Sequence, residues 1–322
     1  MKKTDQIAIV GAGLAGLTAA RALADAGHNV TVFEKGRGLG GRMASRRKDG
    51  WRFDHGAIVL RPSDDDFAAF TAQNDAEGNA AYWNDAAGWI GLPGMSGAVK
   101  PIANGLTIHT QAEVTALERG VDGWVLQGPT AAAGLQFHQL ILAIPQPQAH
   151  RLLSPWPQLQ AQIEPAQMDP CWTLMVGFGA RLPTDMTYSN DGNGPIAVIA
   201  RETAKPGRDL PGDGWAIQAN AHWSRTHLEL DRTAVETALL DAFFAALGCN
   251  AVSPNLSMAH RWRYALTSRP LGQSYLNDAS LGLSICGDWC LGPGAQDAFN
   301  SGRRLAEARL SESSPGQRPS IN

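Results

Sequence analysis

The sequence predicts an α/β fold in which a doubly wound parallel sheet is interrupted by an inserted α+β region. Residues 7–10 form a short apolar run, and a glycine-rich turn joins it to an alanine-rich segment at 14–26 and a second run at 29–34. Almost wholly apolar runs, "LILAIP" and "LSIC", return much later and are typical of strands buried on both faces. The segment "AFNSGRRLAEARL" predicts a closing helix.

Because these elements lie at both ends of the 322 residues, we expect a discontinuous domain. It comprises three segments, 1–60, 98–150 and 270–311. A second domain comprises 61–97 and 151–269, where "CWTLMVGFG", "IAVIAR" and "WAIQANAHW" predict strands and 231–247 predicts an amphipathic helix. The polar tail 312–322 is expected to be disordered.

Composition narrows the class of protein. A 44% apolar content supports a sizeable core, and a net charge of −3 gives no electrostatic reason for binding nucleic acid or an anionic membrane. The apolar run in "MKKTDQIAIVGAG" is too short for a signal peptide or a membrane-spanning helix. The four cysteines form no Cys-x-x-Cys pair, so we expect no metal site and a reduced, cytoplasmic protein.

A nucleotide-binding signature follows the first strand. Gly11, Gly13 and Gly16 form G-x-G-x-x-G at the start of a helix, and Glu34 ends the next strand about 20 residues later. The glycines allow a tight turn, close approach of a pyrophosphate and helix packing, while the helix N-terminus offers N–H groups. This Rossmann-like pattern predicts contacts from Gly11, Ala12, Gly13, Leu14, Ala15 and Gly16.

A second glycine cluster, "GRGLGGRM" at 36–43, indicates which dinucleotide is bound. A carboxylate at the ribose position disfavours NADP, whose 2′-phosphate it would repel, and the second cluster adds anion-binding groups. An acid followed by Gly-Gly-Arg resembles the flavoenzyme version of the fold, so FAD is predicted. The expected contacts are Glu34, Lys35, Gly41, Arg42 and Met43, while the adjacent Arg46, Arg47 and Lys48 are interpreted as a flexible basic loop.

Further stretches resemble the flavin amine-oxidase group and, within it, bacterial renalases: "FDHGAIVL", "AEVTAL", "MDPCW", "AHRWRYA" and "CGDWCLGPGAQDAFNSG". The resemblance implies that the first passes the isoalloxazine, that the backbone at Val114 reads adenine, and that Asp288 meets the ribityl chain. The helix after Asp288 would face the flavin pyrimidine end. The positions implied are His55, Gly56, Ala57, Val114, Gly287, Asp288, Gln296 and Ala298.

Renalases oxidise isomers of NAD(P)H with hydride at ring position 2 or 6 and pass the electrons to O2 as hydrogen peroxide. The resemblance therefore implies a dihydronicotinamide dinucleotide as substrate and non-covalent FAD. A flavin performs hydride transfer itself, which suits a sequence with no evident Ser-His-Asp or paired-carboxylate pattern. Candidate substrate residues, for which ordinary sheet packing is an equal explanation, are His222, Trp223, Arg261, Trp262 and Tyr264. Strand alternation predicts Arg261 and Arg263 on the face opposite Trp262 and Tyr264.

Several departures and alternatives stay open. "GAIVL" replaces a polar and aromatic pair usual in renalases, Gly294 and Gln296 stand where Arg and Glu are common, and 70–95 is shorter. One alternative is a strict amine oxidase, whose lysine near flavin N5 has only Lys205 in "AKPGRD" as a counterpart. Another is a non-catalytic redox protein that uses Cys286 or Cys290, and Cys290 is also the only evident point for covalent flavin attachment.

Overall fold

The computed structural model describes residues 6–129, 135–192 and 194–312. The strands are β1 (Gln6–Val10), β2 (Asn29–Glu34), β3 (Ser45–Lys48), β4 (Trp51–Asp54), β5 (Ala80–Trp83), β6 (Gly88–Gly91), β7 (Thr107–Thr110), β8 (Ala116–Gly120), β9 (Gly123–Gln127), β10 (Gln136–Phe137), β11 (Gln139–Leu142), β12 (Gln167–Phe178), β13 (Tyr188–Ser189), β14 (Ile196–Arg201), β15 (Asp213–Ala219), β16 (Leu256–Arg269), β17 (Leu276–Asp278) and β18 (Leu283–Ile285). The helices are α1 (Leu14–Asp25), α2 (Asp65–Ala76), α3 (Gln146–Leu152), α4 (Pro157–Ile163), α5 (Ala221–Thr226), α6 (Arg232–Leu247) and α7 (Ala295–Glu312).

The predicted parallel sheet is confirmed. Its strand order is β17-β18-β11-β1-β2-β7, and all neighbouring pairs are parallel except β17 with β18. Helices α1 and α7 contribute to the apolar core on one face, whereas the small sheet β10-β9-β8 and helices α3 and α4 contribute to the core on the other. The strand order brings the ends of β1, β2 and β18 to one edge, where ligands bind in open α/β sheets.

A second, antiparallel sheet has the order β13-β14-β15-β12-β16. Its back face packs on α6 through Trp172, Leu174, Trp215 and Phe243. Alternate residues form the front face, where Met175 packs against Trp51 and Phe53 of β4. The sheet therefore presents one whole face to the hairpin β3-β4, and β16 is its edge strand.

Three predictions about local structure need correction or limitation. The strand expected through "WAIQANAHW" ends at Ala219, because the side chain of Asn220 accepts a hydrogen bond from the Trp223 N–H and begins α5. The stretch expected to be a loop at Arg46–Lys48 belongs to β3. Of the tail predicted to be disordered, 313–322 lies outside the described residues.

Among the described residues, no helix combines the length and apolar character that crossing a membrane requires.

Candidate functional site

The turn between β1 and α1 has the backbone that the glycine signature predicts. Gly11 has a φ of +108°, and a Cβ there would lie 2.4 Å from the Ala143 carbonyl oxygen. Gly13 caps α1 without a side chain, and a Cβ built on it meets no atom within 4 Å. No side chain at position 13 therefore covers the first N–H groups of α1, which fits a pyrophosphate.

Glu34 ends β2 beside this turn. Its carboxylate accepts hydrogen bonds from the N–H of Ala12 at 2.9 Å and of Gly36 at 2.6 Å. Because each carboxylate oxygen has two lone pairs, acceptor capacity remains for the hydroxyls of an adenosine ribose. The two backbone contacts fix the carboxylate at the position where the signature requires it.

The second glycine cluster packs directly on the first. Gly40 and Gly41 have φ values of +98° and +54°, and the Gly40 N–H donates to the Ala12 carbonyl at 2.8 Å. A Cβ on Gly41 would lie 3.4 Å from the Cα of Gly13. The two clusters thus form one continuous glycine-rich surface, which explains why a dinucleotide site carries both.

Arg42 joins this surface to the C-terminal part of the chain. Its guanidinium donates to both carboxylate oxygens of Asp288, at 2.7 and 2.5 Å, and to the Ala265 carbonyl at 2.9 Å. Thr267 also donates to Asp288, at 3.0 Å. The phosphate contact expected of Arg42 would have to coexist with this ion pair, and it stays a prediction.

The segment from His55 to Ala57 lies between Arg42 and the second sheet. The His55 carbonyl accepts hydrogen bonds from Oγ1 of Thr173 at 2.9 Å and from the indole N–H of Trp262 at 2.8 Å. Nε2 of Gln218 donates to the Gly56 carbonyl at 2.6 Å. A Cβ on Gly56 would lie 1.9 Å from the Arg42 carbonyl oxygen, so only glycine fits there.

Three rings meet next to this segment. The ring centroids of His55, His260 and Trp262 are 4.5 to 5.0 Å apart. Burial, together with the nearby His260, lowers the pKa of His55 to about 3, and burial lowers the pKa of His260 to about 4. Both imidazoles are therefore neutral near pH 7. Nδ1 of His55 is buried and has no hydrogen-bond partner within the described residues.

A cluster of four buried charged side chains includes Asp54, the residue directly before this segment. Nζ of Lys205 lies 3.0 Å from Oδ2 of Asp54 and 2.8 Å from Oε1 of Glu202, and Arg208 also donates to Asp54. Burial alone would raise the pKa of Asp54, but the charges of Lys205 and Arg208 lower it to about 2. Burial raises the pKa of Glu202. We call these four residues the buried quartet.

Three residues predicted to contact the substrate lie away from the rings of His55, His260 and Trp262. His222 is exposed on α5, and Trp223 stacks on His227 with centroids 4.2 Å apart. Arg261 lies on the back face of β16, where it donates to the Leu228 carbonyl at 2.7 Å and to Glu229 at 2.9 Å. These three residues therefore lie with the helical layer and do not contact His55.

Other predicted positions occupy varied surroundings. The Tyr264 hydroxyl accepts a hydrogen bond from Arg151 at 3.1 Å, and Gln296 accepts one from the Ser63 N–H at 2.7 Å. Val114 is buried, whereas Lys35 is exposed and Ala298 half-buried. The aliphatic departures Ile58 and Leu60 are buried in the core around α1. His260 was missed, although its alternation with Trp262 placed both on one face.

The cysteines are poorly suited to redox chemistry. Cys286 and Cys290 are fully buried, and burial raises the pKa of both thiols, that of Cys290 to about 12. A thiol, not the reactive thiolate, is therefore present at neutral pH. Within the part of the chain that the structure describes, no group of three His, Cys, Asp or Glu side chains could hold a metal.

Comparison with known proteins identifies the class. Residues 9–73 match the NAD(P)-binding Rossmann-like domain, and residues 76–309 match the flavin-containing amine oxidoreductases. The chain belongs to the flavin-containing amine oxidoreductase family. It is therefore an FAD-dependent oxidoreductase, and the glycine surface with Glu34 fits that cofactor.

Sequence similarity to individual proteins is limited to a short segment of this chain, whereas similarity in fold extends over nearly all of it. A 4,4'-diapophytoene desaturase (4,4'-diaponeurosporene-forming) from Staphylococcus aureus (strain MRSA252) is 53% identical over 58 residues, which are 18% of this chain and 12% of the desaturase. Cyclohexylamine oxidase from Brevibacterium oxydans IH-35A superposes with a TM-score of 0.70 at 14% identity, over 96% of this chain and 99% of that one. A triple mutant of putrescine oxidase gives 0.71 at 12% identity, over 96% and 99%. These structures share the fold.

Proposed function

We propose that this protein oxidises dihydronicotinamide dinucleotides that carry hydride at ring position 2 or 6, and that O2 then takes up the electrons as hydrogen peroxide. Bound FAD supplies the hydride acceptor at N5. The observation that carries the proposal is the cluster of His55, His260 and Trp262, whose two imidazoles are neutral at pH 7. The substrate becomes NAD(P)⁺ when the hydride leaves.

A neutral aromatic cluster suits this donor. A dihydronicotinamide is planar and uncharged, so it can pack against Trp262 and the imidazoles without competing for a charged partner. It is already in its reactive form and needs no proton removed before hydride leaves.

Oxidation of an amine is the second candidate, because the chain belongs to a family with amine-oxidising members and shares the fold of cyclohexylamine oxidase. The lysine that such a mechanism would call for has Lys205 as its sequence counterpart. The Lys205 ammonium is buried between the carboxylates of Asp54 and Glu202. Lys205 therefore forms structural ion pairs, which favours the nicotinamide proposal.

The deciding experiment is anaerobic stopped-flow mixing of the purified yellow protein with each donor at matched concentration. The donors are the 2- and 6-dihydro isomers, ordinary NADH and cyclohexylamine. We expect the isomers to bleach the flavin much faster than the other two, and admission of air to yield one hydrogen peroxide per substrate. Rapid bleaching by cyclohexylamine with none by the isomers would establish the amine candidate instead.

We also propose that FAD is held without a covalent bond, because the Cys290 thiol is buried and its pKa is raised to about 12. Acid precipitation should release the yellow colour into the supernatant. Colour that remains in the pellet would contradict this.

A further inference from the structure

The basic hairpin β3-β4 divides its charges between two faces. Arg46 lies directly opposite Phe53, and Arg47 lies opposite Arg52. Residues directly opposite each other in an antiparallel pair share a face, and successive residues alternate. Arg46 therefore projects on the same side as Phe53, and Arg47 projects on the other side.

The Phe53 side of the hairpin is the side that meets the second sheet. Phe53 belongs to an apolar cluster with Met175 of β12 and Met258 of β16. His260 lies two residues beyond Met258 and so shares its face of β16. This geometry carries the Arg46 side chain toward the ring cluster of His55, His260 and Trp262.

Electrostatics agree with that placement. Burial is the main reason why the pKa values of His55 and His260 are low, and the positive charge of Arg46 lowers both further. Arg232, the first residue of α6, acts on His260 in the same way.

These two arginines differ from the others at the site. Arg42, Arg261 and Arg263 each form an ion pair with Asp288 or Glu229. Arg46 and Arg232 are exposed, and within the described residues neither side chain has an ion pair or a hydrogen bond. Arg46 thus has a guanidinium group with no carboxylate bound to it, on the side of the hairpin that meets the second sheet.

We infer that Arg46 binds the pyrophosphate of the dinucleotide substrate while the nicotinamide end packs against His260 and Trp262. This inference rests on the proposed function. A guanidinium presents a planar fork of donors that matches phosphate oxygens and stays charged at any working pH. The basic stretch after the Gly-Gly-Arg motif is thereby assigned a role in recognising the substrate.

The test compares Arg46→Gln with Arg47→Gln, which removes the same charge from the opposite face of the same strand. Each variant is mixed anaerobically with a 2-dihydro dinucleotide and with 1-methyl-dihydronicotinamide of the same ring isomer, which has no phosphate. For the dinucleotide, we expect Arg46→Gln to raise the apparent Kd at least tenfold. For the phosphate-free donor, Arg46→Gln should change nothing, and Arg47→Gln should leave both donors within twofold of wild type.

Calorimetric titration with ADP-ribose provides a readout that does not depend on flavin reduction. Binding that is weakened in Arg46→Gln and retained in Arg47→Gln supports the inference. An equal effect of the two variants, or an equal effect of Arg46→Gln on both donors, overturns it. If neither nicotinamide reduces the wild-type flavin, the proposed function fails, and the ADP-ribose titration still decides whether the phosphate site exists.

Discussion

The indole N–H of Trp262 donates to the backbone carbonyl of His55 across 2.8 Å, and Thr173 donates to the same oxygen. Both donors belong to the second sheet, whereas His55 follows β4 of the hairpin that packs on it. The inserted sheet therefore fixes the backbone of the segment that the family resemblance places along the flavin. We therefore propose that the residues assigned to the substrate and the position of the cofactor are coupled through this oxygen.

Trp262→Phe should slow flavin reduction, and the slowing should be larger than that caused by an equal loss of stability elsewhere in the protein. Phenylalanine keeps an aromatic surface but removes the donor to His55, which should cost about 1 kcal/mol of unfolding free energy. Trp124→Phe is the matched control, because Nε1 of Trp124 donates to the Leu281 carbonyl at 2.9 Å in the other domain. Denaturant unfolding and stopped-flow reduction measure the two effects. Equal reduction rates in the two variants would contradict the coupling.

Glu34→Ala should weaken FAD binding. The variant loses charge-assisted hydrogen bonds to the ribose, worth about 1.5–3 kcal/mol, which corresponds to roughly a ten- to hundredfold rise in Kd. It also frees the N–H groups of Ala12 and Gly36. Fluorescence titration of the apoprotein with FAD measures the change. Wild-type affinity would mean that the adenosine lies elsewhere.

Arg42→Ala and Asp288→Asn should interact non-additively. Either change alone leaves the partner of a bidentate pair unmatched, and the Asp288 side chain is only 5% exposed. We expect both single variants to retain less FAD, with the double variant less impaired than the sum of the two. A double-mutant cycle on the FAD Kd measures the coupling. Strict additivity would show that Arg42 acts on FAD independently of Asp288.

The two histidines of the ring cluster should make the protein sensitive to acid. Their folded-state pKa values, about 3 for His55 and about 4 for His260, lie below the ordinary value of 6.5. Between about pH 4 and 6.5 the unfolded chain therefore binds more protons, and stability falls as pH falls, by about 1.4 kcal/mol per pH unit for each histidine. His260→Gln should flatten the unfolding free energy against pH in this window. An unchanged slope would show that His260 is not held neutral.

Local and distant features of the site differ in how far the sequence predicts them. The turn at Gly11 and Gly13 and the position of Glu34 beside it lie within one β-α-β unit, so spacing along the chain was enough to predict them. Strand alternation separated Arg261 from Trp262, but it could not tell which face of β16 meets the hairpin β3-β4. The ion pair of Asp54 with Lys205 joins residues 151 positions apart, and no local pattern signals such a contact.

Removing the charge of Lys205 tests how much the buried quartet contributes to the free energy of unfolding. Lys205→Met keeps the length of the side chain but leaves the carboxylates of Asp54 and Glu202 with Arg208 alone. Breaking a buried pair by removing one partner costs about 3–5 kcal/mol, so we expect the unfolding free energy to fall by that amount. Arg201→Met is the control, because it breaks the other buried pair, with Asp213 at 2.7 Å, at a place that does not contact Asp54.

Both variants should lose stability, and only Lys205→Met should shift the visible flavin spectrum and slow reduction, since Asp54 precedes His55. The pH dependence of the unfolding free energy provides a second test. A Glu202 with a raised pKa favours folding below its ordinary value of 4.5 and loses that contribution as pH rises through its folded pKa. Loss of the Lys205 charge raises this pKa further, so the difference in unfolding free energy between the wild-type protein and Lys205→Met should become smaller when the pH is lowered from 7 to 5, since the two histidines affect both proteins equally. Adding Glu202→Gln at pH 7 should make the difference smaller in the same way. If neither acid nor that second change makes it smaller, the quartet is not the electrostatic unit described above.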